Sequence, residues 1–340
     1  MCPKDHHLSP ITLASPFLIG SVVIRNRVVL APMSGVTDLP FRQLAWRYGA
    51  GLVVTEMVAS RELAHNRGES WERLKGTGIR PHMVQLAGRE AHWMAEAARI
   101  AEANGADIVD INMGCPAKKV TGGYSGSALM RDPDHALSLI EAVVAAVKVP
   151  VTVKMRLGWD EQSINAPEIA ARAEQAGVSL ITVHGRTRQQ FYEGRADWDA
   201  IRRVREVLSI PLIANGDVET HGDAQEILRR SGADAVMLGR GAQGRPWHPG
   251  VFAGRAHPVP TEMAAVACEH YELMLGFYGR EAGLRHARKH VGWYLDRFAP
   301  EMAPERKAGL MTEKDPDMVL RVLGEELAAY RGHASSREAA

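Results

Sequence analysis

The hydrophobic pattern of the chain consists of short apolar runs separated by amphipathic stretches. The runs are rich in Val and Ile, which is typical of buried parallel strands. Eight strands are predicted, at 28–31, 52–55, 82–86, 108–112, 151–155, 180–184, 212–215 and 235–238. Helices are predicted between them, at 41–48, 91–104, 134–147, 166–176, 198–207 and 223–230. Eight strand–helix units in series favour an α/β fold of the (β/α)8 TIM barrel type over a doubly wound sheet, which usually has fewer strands.

The two ends of the chain depart from this pattern. Residues 17–24 predict a short hairpin placed to plug the amino-terminal mouth of the barrel. Past Pro260, apolar residues recur every three or four positions and predict three helices, at 263–277, 284–298 and 319–330. We therefore expect a barrel at 1–250, a small C-terminal helical domain at 258–331 and a disordered tail at 332–340.

Charge and cysteine content narrow the functional classes. The 340 residues include 41 Lys and Arg against 40 Asp and Glu, so any site for a polyanion must be a local patch. The three cysteines are Cys2, Cys115 and Cys268, and their spacing argues against a disulfide scaffold and a zinc site. No apolar run of about 18 residues and no secretory signal is visible, so we expect a cytoplasmic protein without a membrane role.

Polar residues concentrate at the carboxyl ends of the predicted strands, where the loops of a barrel form the active site. They include Ser34, Glu56, Gln85, Asn112, Lys154, Arg156, His184, Arg186, Asn215 and Arg240. Residues 215–217 and 239–241 follow strands seven and eight, a common phosphate site in such barrels. Their glycines let backbone N–H groups approach an anion, although turn formation alone is the other interpretation.

Two residues have the character of reactive groups. Cys115 lies in a long glycine-rich loop after strand four, where a functional lid is expected and a thiol can act as nucleophile or proton donor. An inert buried cysteine is the alternative, and it fits Cys268 better. Lys154 ends strand five and suits either a Schiff-base lysine or a cation that faces an electron-accepting ring. The sequence does not separate these two roles.

The second C-terminal helix carries a group of cations. Arg285, Arg288 and Lys289 are spaced to share one helix face, which is either a solvated surface or a contact for a phosphate backbone. His286 and His290 have the spacing of metal ligands, but only cations and an alanine lie between them. A metal site is therefore not expected.

Four segments resemble the tRNA-dihydrouridine synthases, and the bacterial B-type branch in particular. They are APMSGVTD at 31–38, DINMGCPAKKV at 110–120, VHGRTR at 183–188, and NGD at 215–217 together with GR at 239–240. The resemblance covers roughly residues 17 to 330, and the Met-Gly-Cys-Pro segment is specific. Ser34 stands where many members of the family carry Ala, a small change that a close backbone approach should tolerate.

The resemblance implies an FMN-dependent enzyme that uses NADPH, or NADH, to reduce the C5–C6 double bond of selected uridines in tRNA. Hydride would reach C6 from the flavin, Cys115 would protonate C5, and Asn112 would orient the uracil. The residues expected to hold FMN are Pro32, Met33, Ser34, Gln85, Lys154, His184, Asn215, Gly216, Asp217, Gly239 and Arg240. Lys154 would stabilise negative charge on the reduced ring.

The implied partner is tRNA, with no obligate protein partner. A uridine of folded tRNA must be extruded to reach a flavin inside a barrel, which calls for a basic entrance. The residues expected to line this entrance are Lys118, Lys119, Arg186, Arg188, Arg285, Arg288 and Lys289.

Two other functions compete with this interpretation. An FMN barrel that acts on a free pyrimidine, similar to dihydroorotate dehydrogenase, would share the flavin residues but would not need the basic helix. A flavin-bearing or RNA-binding protein without catalysis is the second alternative. The presence of Cys115, Lys154 and Asn112 argues against it.

Overall fold

The computed structural model describes residues 12–331, apart from the side chain of Lys119. The tail predicted at 332–340 and Cys2 lie outside this range. Within it the strands are β1 (Phe17–Ile19), β2 (Val22–Ile24), β3 (Val28–Leu30), β4 (Leu52–Val53), β5 (Val58–Ala59), β6 (Met83–Ala87), β7 (Ile108–Met113), β8 (Val151–Arg156), β9 (Leu180–His184), β10 (Leu212–Asn215) and β11 (Ala235–Leu238).

The helices of the barrel region are α1 (Leu39–Arg47), α2 (Ser60–Ala64), α3 (Gly68–Leu74), α4 (Ala91–Ala103), α5 (Lys118–Thr121), α6 (Pro133–Val144), α7 (Ala166–Gln175), α8 (Trp198–Arg205), α9 (His221–Ser231) and α10 (His248–Phe252). The C-terminal helices are α11 (Pro260–Tyr278), α12 (Arg280–Phe298), α13 (Pro304–Thr312) and α14 (Pro316–Ala328). Local signals set several boundaries. For example, Thr220 and Asp223 form a capping box on α9, and Gly232 ends that helix in a left-handed conformation.

The strands β3 to β11 form one parallel sheet that curls into a barrel. Strands that are neighbours in sequence pair with each other, apart from β4 and β5, and β11 returns to pair with β3. A bridge between Val54, which follows β4, and Met83 of β6 closes the barrel. The strand predicted at 52–55 is interrupted after β4 and resumes as β5, so nine short strands fill eight positions. The predicted (β/α)8 barrel is confirmed, and the doubly wound alternative is wrong.

Side chains alternate between the two faces of the barrel wall. On β7, Val109 and Ile111 pack outward against the helices, whereas Ile108, Asp110 and Asn112 occupy the inner face. The inner face is apolar at the amino ends of the strands and polar at their carboxyl ends. The sequence alternation therefore places the polar side chains together at one mouth.

The hairpin of β1 and β2 lies at the opposite mouth. Phe17, Ile19 and Ile24 share a buried apolar cluster with Ile108 and Leu180, which begin their strands. This packing covers the amino end of the barrel interior. The other mouth is left as the place where polar side chains meet solvent.

The four C-terminal helices surround a second apolar cluster, which also includes Leu44 and Trp247 from the barrel region. The sequence pattern predicts three of these helices but not α13, in which Leu310 is the buried residue. The Tyr278 hydroxyl of α11 donates a 3.0 Å hydrogen bond to Asp38 at the start of α1. In the described part of the chain, no helix is both long and apolar enough to cross a membrane.

Candidate active site

The polar residues of the barrel interior meet at the carboxyl ends of β6 to β10. Strand register sets Asn112 beside Lys154, and it sets Arg156 and Asn215 on either side of His184. The ammonium of Lys154 donates to Oδ1 of Asn215 over 3.3 Å. These predicted site residues, which are distant in the sequence, are thus neighbours in the structure.

A chain of buried hydrogen bonds leads from β8 to the cysteine loop. Oδ1 of Asp110 accepts from the Thr152 hydroxyl at 2.5 Å, and its Oδ2 accepts from Nε2 of Gln85 at 2.7 Å. Oε1 of Gln85 in turn accepts from Nδ2 of Asn112 at 2.7 Å. Oδ1 of Asn112 accepts from the backbone N–H of Cys115 at 3.0 Å. Much of the bonding capacity of Gln85 and Asn112 is therefore used inside the protein.

The Cys115 loop is held on both sides of the cysteine. Its carbonyl oxygen accepts from the backbone N–H and the hydroxyl of Ser127, at 3.1 and 2.9 Å. Burial raises the pKa of the half-buried Cys115 thiol, while the Ala117 N–H and the charges of Arg156 and Lys154 lower it by less. The group therefore keeps its proton at neutral pH, as a proton donor requires.

The pKa values of two cations near the cysteine, Lys154 and Arg156, are lowered, whereas that of the thiol is raised. Burial, and then the nearby charge of Arg156, lower the pKa of Lys154 to about 8, against a smaller opposing effect of Asp110. Burial likewise lowers the pKa of Arg156 to about 10. The Arg156 guanidinium donates to the carbonyls of Gly114 and Thr187, at 2.9 and 2.7 Å. Both charges are thus fixed beside the thiol loop.

His184 is neutral. Burial and the charges of Arg156, Lys154, Arg186 and Arg240 hold its pKa well below the usual range. Its Nε2 lies 3.3 Å from a guanidinium nitrogen of Arg186, which can only donate. The imidazole proton is therefore on Nδ1.

The segments after β10 and β11 form a glycine-lined cradle. Gly216 has a φ of +126°, and a Cβ there would lie 2.6 Å from that of Ala196. A Cβ on Gly239 would meet only Met33 Sδ at 3.8 Å and Ala31 Cβ at 4.0 Å. Arg240 is half exposed and lies 3.4 Å from Asp217. The open space at Gly239, the closely approachable backbone at Gly216 and the nearby cation Arg240 together suit a phosphate group.

The same residues fit a flavin mononucleotide. The loop that holds Met33 is set by a 2.8 Å bond from its backbone N–H to the Thr37 hydroxyl, and it borders the open space at Gly239. Lys154 supplies a positive charge within the barrel, and the His184 Nδ1–H is a further donor. An anionic, partly apolar ring system with a phosphate matches this donor set.

The predicted entrance residues are only partly brought together. Lys118 is exposed on α5, and the side chain of Lys119 lies outside the described structure. The Arg188 guanidinium lies 4.8 Å from the centre of the Trp159 ring. Arg186 is 1% exposed and bonded to Asp217 at 2.6 Å and to the carbonyls of Glu193 and Gly194. The expectation that Arg186 lines an RNA entrance is wrong, because its donors hold the loop after β9.

The three cations of α12 are neighbours on the helix but have different surroundings. Nζ of Lys289 lies 3.1 Å from where a Cβ would stand on Gly35, so it reaches the loop after β3 at the barrel mouth. Burial raises the pKa of Tyr271 of α11 to about 12, and the charges of Arg280 and Arg288 oppose this shift by less. Arg285 is exposed. Lys289 therefore lies at the barrel mouth, while an RNA contact by Arg285 and Arg288 stays a prediction.

Sequence reasoning missed three residues of this site. Asp110 and Thr152 lie on the inner wall two positions before Asn112 and Lys154, and the alternation along each strand is the signal that identifies them. The Tyr192 ring is 5.5 Å from the Arg156 guanidinium and 5.2 Å from that of Arg240. No comparable sequence signal marks Tyr192, because the loop after β9 has no regular period.

Comparison with known proteins identifies a family for this chain. A model of the dihydrouridine synthase (Dus) family matches residues 29–324. The chain is 73% identical over 317 residues to a "probable tRNA-dihydrouridine synthase" of Rhizobium leguminosarum bv. phaseoli, covering 93% of this chain and 99% of the relative. It is 46% identical to "tRNA-dihydrouridine synthase B" of Klebsiella pneumoniae, covering 83% of this chain and 91% of the relative.

Solved structures share the fold at low sequence identity. The old yellow enzyme homologue of Zymomonas mobilis aligns with a TM-score of 0.53 at 18% identity, over 72% of this chain and 93% of that one. Histamine dehydrogenase of Rhizobium sp. 4-9 aligns with a TM-score of 0.55 at 14% identity, over 77% and 51%. Because the family match spans most of the chain, and relatives align over nearly their whole length, the protein belongs to the dihydrouridine synthase (Dus) family.

Proposed function

We propose that this protein reduces selected uridines of tRNA to 5,6-dihydrouridine. The observation that carries the proposal is the Cys115 thiol, which keeps its proton beside Asn112 and Lys154 in the mouth of the barrel. Reduction of the uracil C5–C6 bond adds a hydride to C6 and a proton to C5, so a positioned acid is required. The family match favours a tRNA uridine over a free pyrimidine.

The cofactor in this proposal is FMN, with NADPH or NADH as the source of electrons. Bound in the reduced state, the flavin supplies the hydride. Residues 32–34, Gln85 and Lys154 would hold its ring system, and His184, residues 215–217 and residues 239–240 would hold its phosphate end. The open space at Gly239 and the cations around His184 support this orientation.

The protein's own groups then have separate tasks. Cys115 gives its proton to C5 and regains one from solvent, because its raised pKa favours the thiol form. Asn112 has one N–H left after bonding to Gln85, and we assign it to a uracil carbonyl. The charge of Lys154 stabilises electron density on the ring system next to it.

Recognition of tRNA is assigned to the helices α11 to α14 and the rim of the barrel. Lys289 reaches the loop after β3, and Arg285 is exposed on the same helix. A phosphate backbone that follows these cations would deliver an extruded uridine to the mouth. Lys118 and Arg188 extend the entrance on the barrel side. The site of action would be the cytoplasm, where tRNA substrates are found.

The proposal is tested by product analysis. Transfer RNA that lacks dihydrouridine is incubated with the holoenzyme and NADPH, digested and analysed by mass spectrometry. We expect one or a few uridines to gain two hydrogen atoms, and no product from free uridine or orotate. Turnover of orotate without any change in tRNA would instead establish a small-molecule reductase. A protein that binds flavin but reduces neither substrate would contradict the catalytic assignment.

A further inference from the structure

The buried chain of hydrogen bonds beneath Cys115 has two ends of fixed polarity. At one end, the carboxylate of Asp110 only accepts hydrogen bonds. At the other end, the backbone N–H groups of Gly114 and Cys115 only donate, and Oδ1 of Asn112 accepts them at 3.2 and 3.0 Å. Two amide side chains, Gln85 and Asn112, connect these ends.

We infer that Asp110 is a positioning residue, which sets the direction of the Gln85 and Asn112 amides and through them holds the Cys115 loop. The inference rests on the proposed function for its role in catalysis. An amide can turn by half a rotation and exchange its donor with its acceptor. Asp110 prevents this exchange, since only the NH2 group of Gln85 can face a carboxylate. The Gln85 carbonyl must then face Asn112, which in turn directs its own carbonyl to the loop.

Burial raises the cost of any other orientation of these amides. Asp110 is 1% exposed, and Gln85 and Thr152 are fully buried, so water cannot replace a lost partner. Both carboxylate oxygens of Asp110 are used, one by Thr152 and one by Gln85. The carboxylate needs a donor from Gln85, and the loop N–H groups need an acceptor from Asn112. One orientation of each amide meets both needs and also gives the hydrogen bond between the two amides.

The arrangement acts on the reacting thiol through its backbone. Asn112 holds the N–H of Cys115, and Ser127 holds its carbonyl oxygen. If the Asn112 amide turned, its NH2 group would face the Gly114 and Cys115 N–H groups, and the loop would move away. The depth of the thiol in the barrel, and with it the burial that raises its pKa, would change.

The first test measures the thiol directly. The rate of Cys115 alkylation by iodoacetamide is followed by peptide mass spectrometry at pH 8 in the flavin-loaded protein. Asp110→Ala should raise the rate about three- to tenfold, because a released loop exposes the thiol and lowers its pKa. Asp110→Asn, which keeps an accepting oxygen and nearly the same size, should stay within about twofold of the wild type. Gln85→Met cuts the chain in the middle and should match Asp110→Ala.

The control is Ile111→Val, on the same strand but facing the outer helices. It loosens packing without touching the chain of amides, and its alkylation rate should equal that of the wild type. Unchanged alkylation in both Asp110→Ala and Gln85→Met would overturn the inference. If Asp110→Ala does not fold, Gln85→Met decides the outcome, and an unchanged alkylation rate in that variant would overturn the inference. This measurement is independent of tRNA, so its result stands even if the proposed function fails.

The second test asks whether Asp110 acts through Asn112. The rate at which tRNA reoxidises the reduced flavin is compared among Asp110→Ala, Asn112→Ala and the double variant. We expect each single change to slow the step, and the double variant to be no slower than Asn112→Ala alone. A double variant slowed by the product of the two single effects would show that Asp110 acts independently of Asn112, which would contradict a positioning role. A merely structural role would produce the same losses in Ile111→Val.

Discussion

At the scale of single residues, burial favours the neutral forms of both Cys115 and Lys154, with different consequences for the two groups. The Cys115 thiol is pushed toward its neutral form, and so is the Lys154 ammonium, whose pKa falls to about 8. For an acid this burial is useful, because the proton is present when it is needed. For a cation it is costly, and the cost is carried by the folded state until an anionic ligand is bound.

Replacing Cys115 with Ala should separate the two halves of the reaction. We expect the rate of tRNA reduction to fall by about 10²- to 10⁴-fold, since a general acid is lost, while NADPH reduces the flavin at an unchanged rate. Cys268→Ala is the matched control, because that half-buried thiol faces the Leu320 carbonyl of α14, at 3.5 Å. Wild-type tRNA turnover in Cys115→Ala would remove the thiol from the mechanism.

Replacing Lys154 with Met should stabilise the flavin-free protein at neutral pH. The folded-state pKa of Lys154 is about 8, below the ordinary value of 10.5, so the unfolded chain binds the proton more tightly. Stability of the wild type therefore rises with pH between these two values. At pH 7 we expect the free energy of unfolding of Lys154→Met to be about 2 to 3 kcal/mol higher than that of the wild type. This difference should shrink toward pH 10.

Urea denaturation of both proteins at several pH values from 7 to 10 measures this difference. A gap that is constant across the range would mean that the ammonium is not destabilised by burial. The same variant should bind flavin more weakly, because the positive charge beside the ring system is lost.

At the scale of elements, the strands were predictable and the connecting loops were not. Parallel strands buried on both sides have apolar outer residues that stand out in the sequence, and polar inner residues appear only near their carboxyl ends. The interruption between β4 and β5 has no such signal, and α2 and α3 are short and polar. The role of Arg186 was missed for the same reason: its partners, Glu193 and Gly194, lie in an irregular loop.

The loop after β7 depends on a glycine. Gly126 has a φ of +61°, and a Cβ there would lie 2.8 Å from the Cys115 carbonyl oxygen and 3.2 Å from the Cys115 Cβ. Gly126→Ala should therefore cost about 1 to 2 kcal/mol of unfolding free energy and displace the cysteine. Gly276→Ala, in the open interior of α11, should have no cost or a small gain.

Thermal unfolding and tRNA turnover of the two glycine variants check this prediction. The expected pattern is a lower melting temperature and slower tRNA reduction for Gly126→Ala only. Equal behaviour of the two variants would show that the close approach to Cys115 has no importance for the loop.

At the scale of the whole molecule, the sequence predicted the barrel and the mouth at which most of its inner polar residues gather. What it could not provide was which element the side chains of α12 meet, for example that Lys289 reaches the loop after β3 at the barrel mouth. Helix periodicity sets which residues are neighbours on a helix. It does not say which neighbouring element each of them meets.

Charge reversal on α12 should weaken tRNA binding without affecting the flavin. We expect Arg285→Glu to raise the dissociation constant for tRNA about five- to tenfold at low salt, with a smaller effect at higher salt. Arg203→Glu, exposed on α8 at the outer side of the barrel, is the matched control. Binding titrations at two salt concentrations measure both variants. Equal effects of the two would mean that α12 is not a specific contact.

The central claim is that the reduced enzyme delivers its electrons to uridine in tRNA. The most direct measurement is anaerobic stopped-flow absorbance of the visible flavin band, after reduction of the holoenzyme with one equivalent of NADPH. On mixing with tRNA that lacks dihydrouridine, we predict rapid reoxidation in the wild type, slow reoxidation in Cys115→Ala, and none with orotate. A flavin that NADPH reduces but tRNA does not reoxidise would contradict the account.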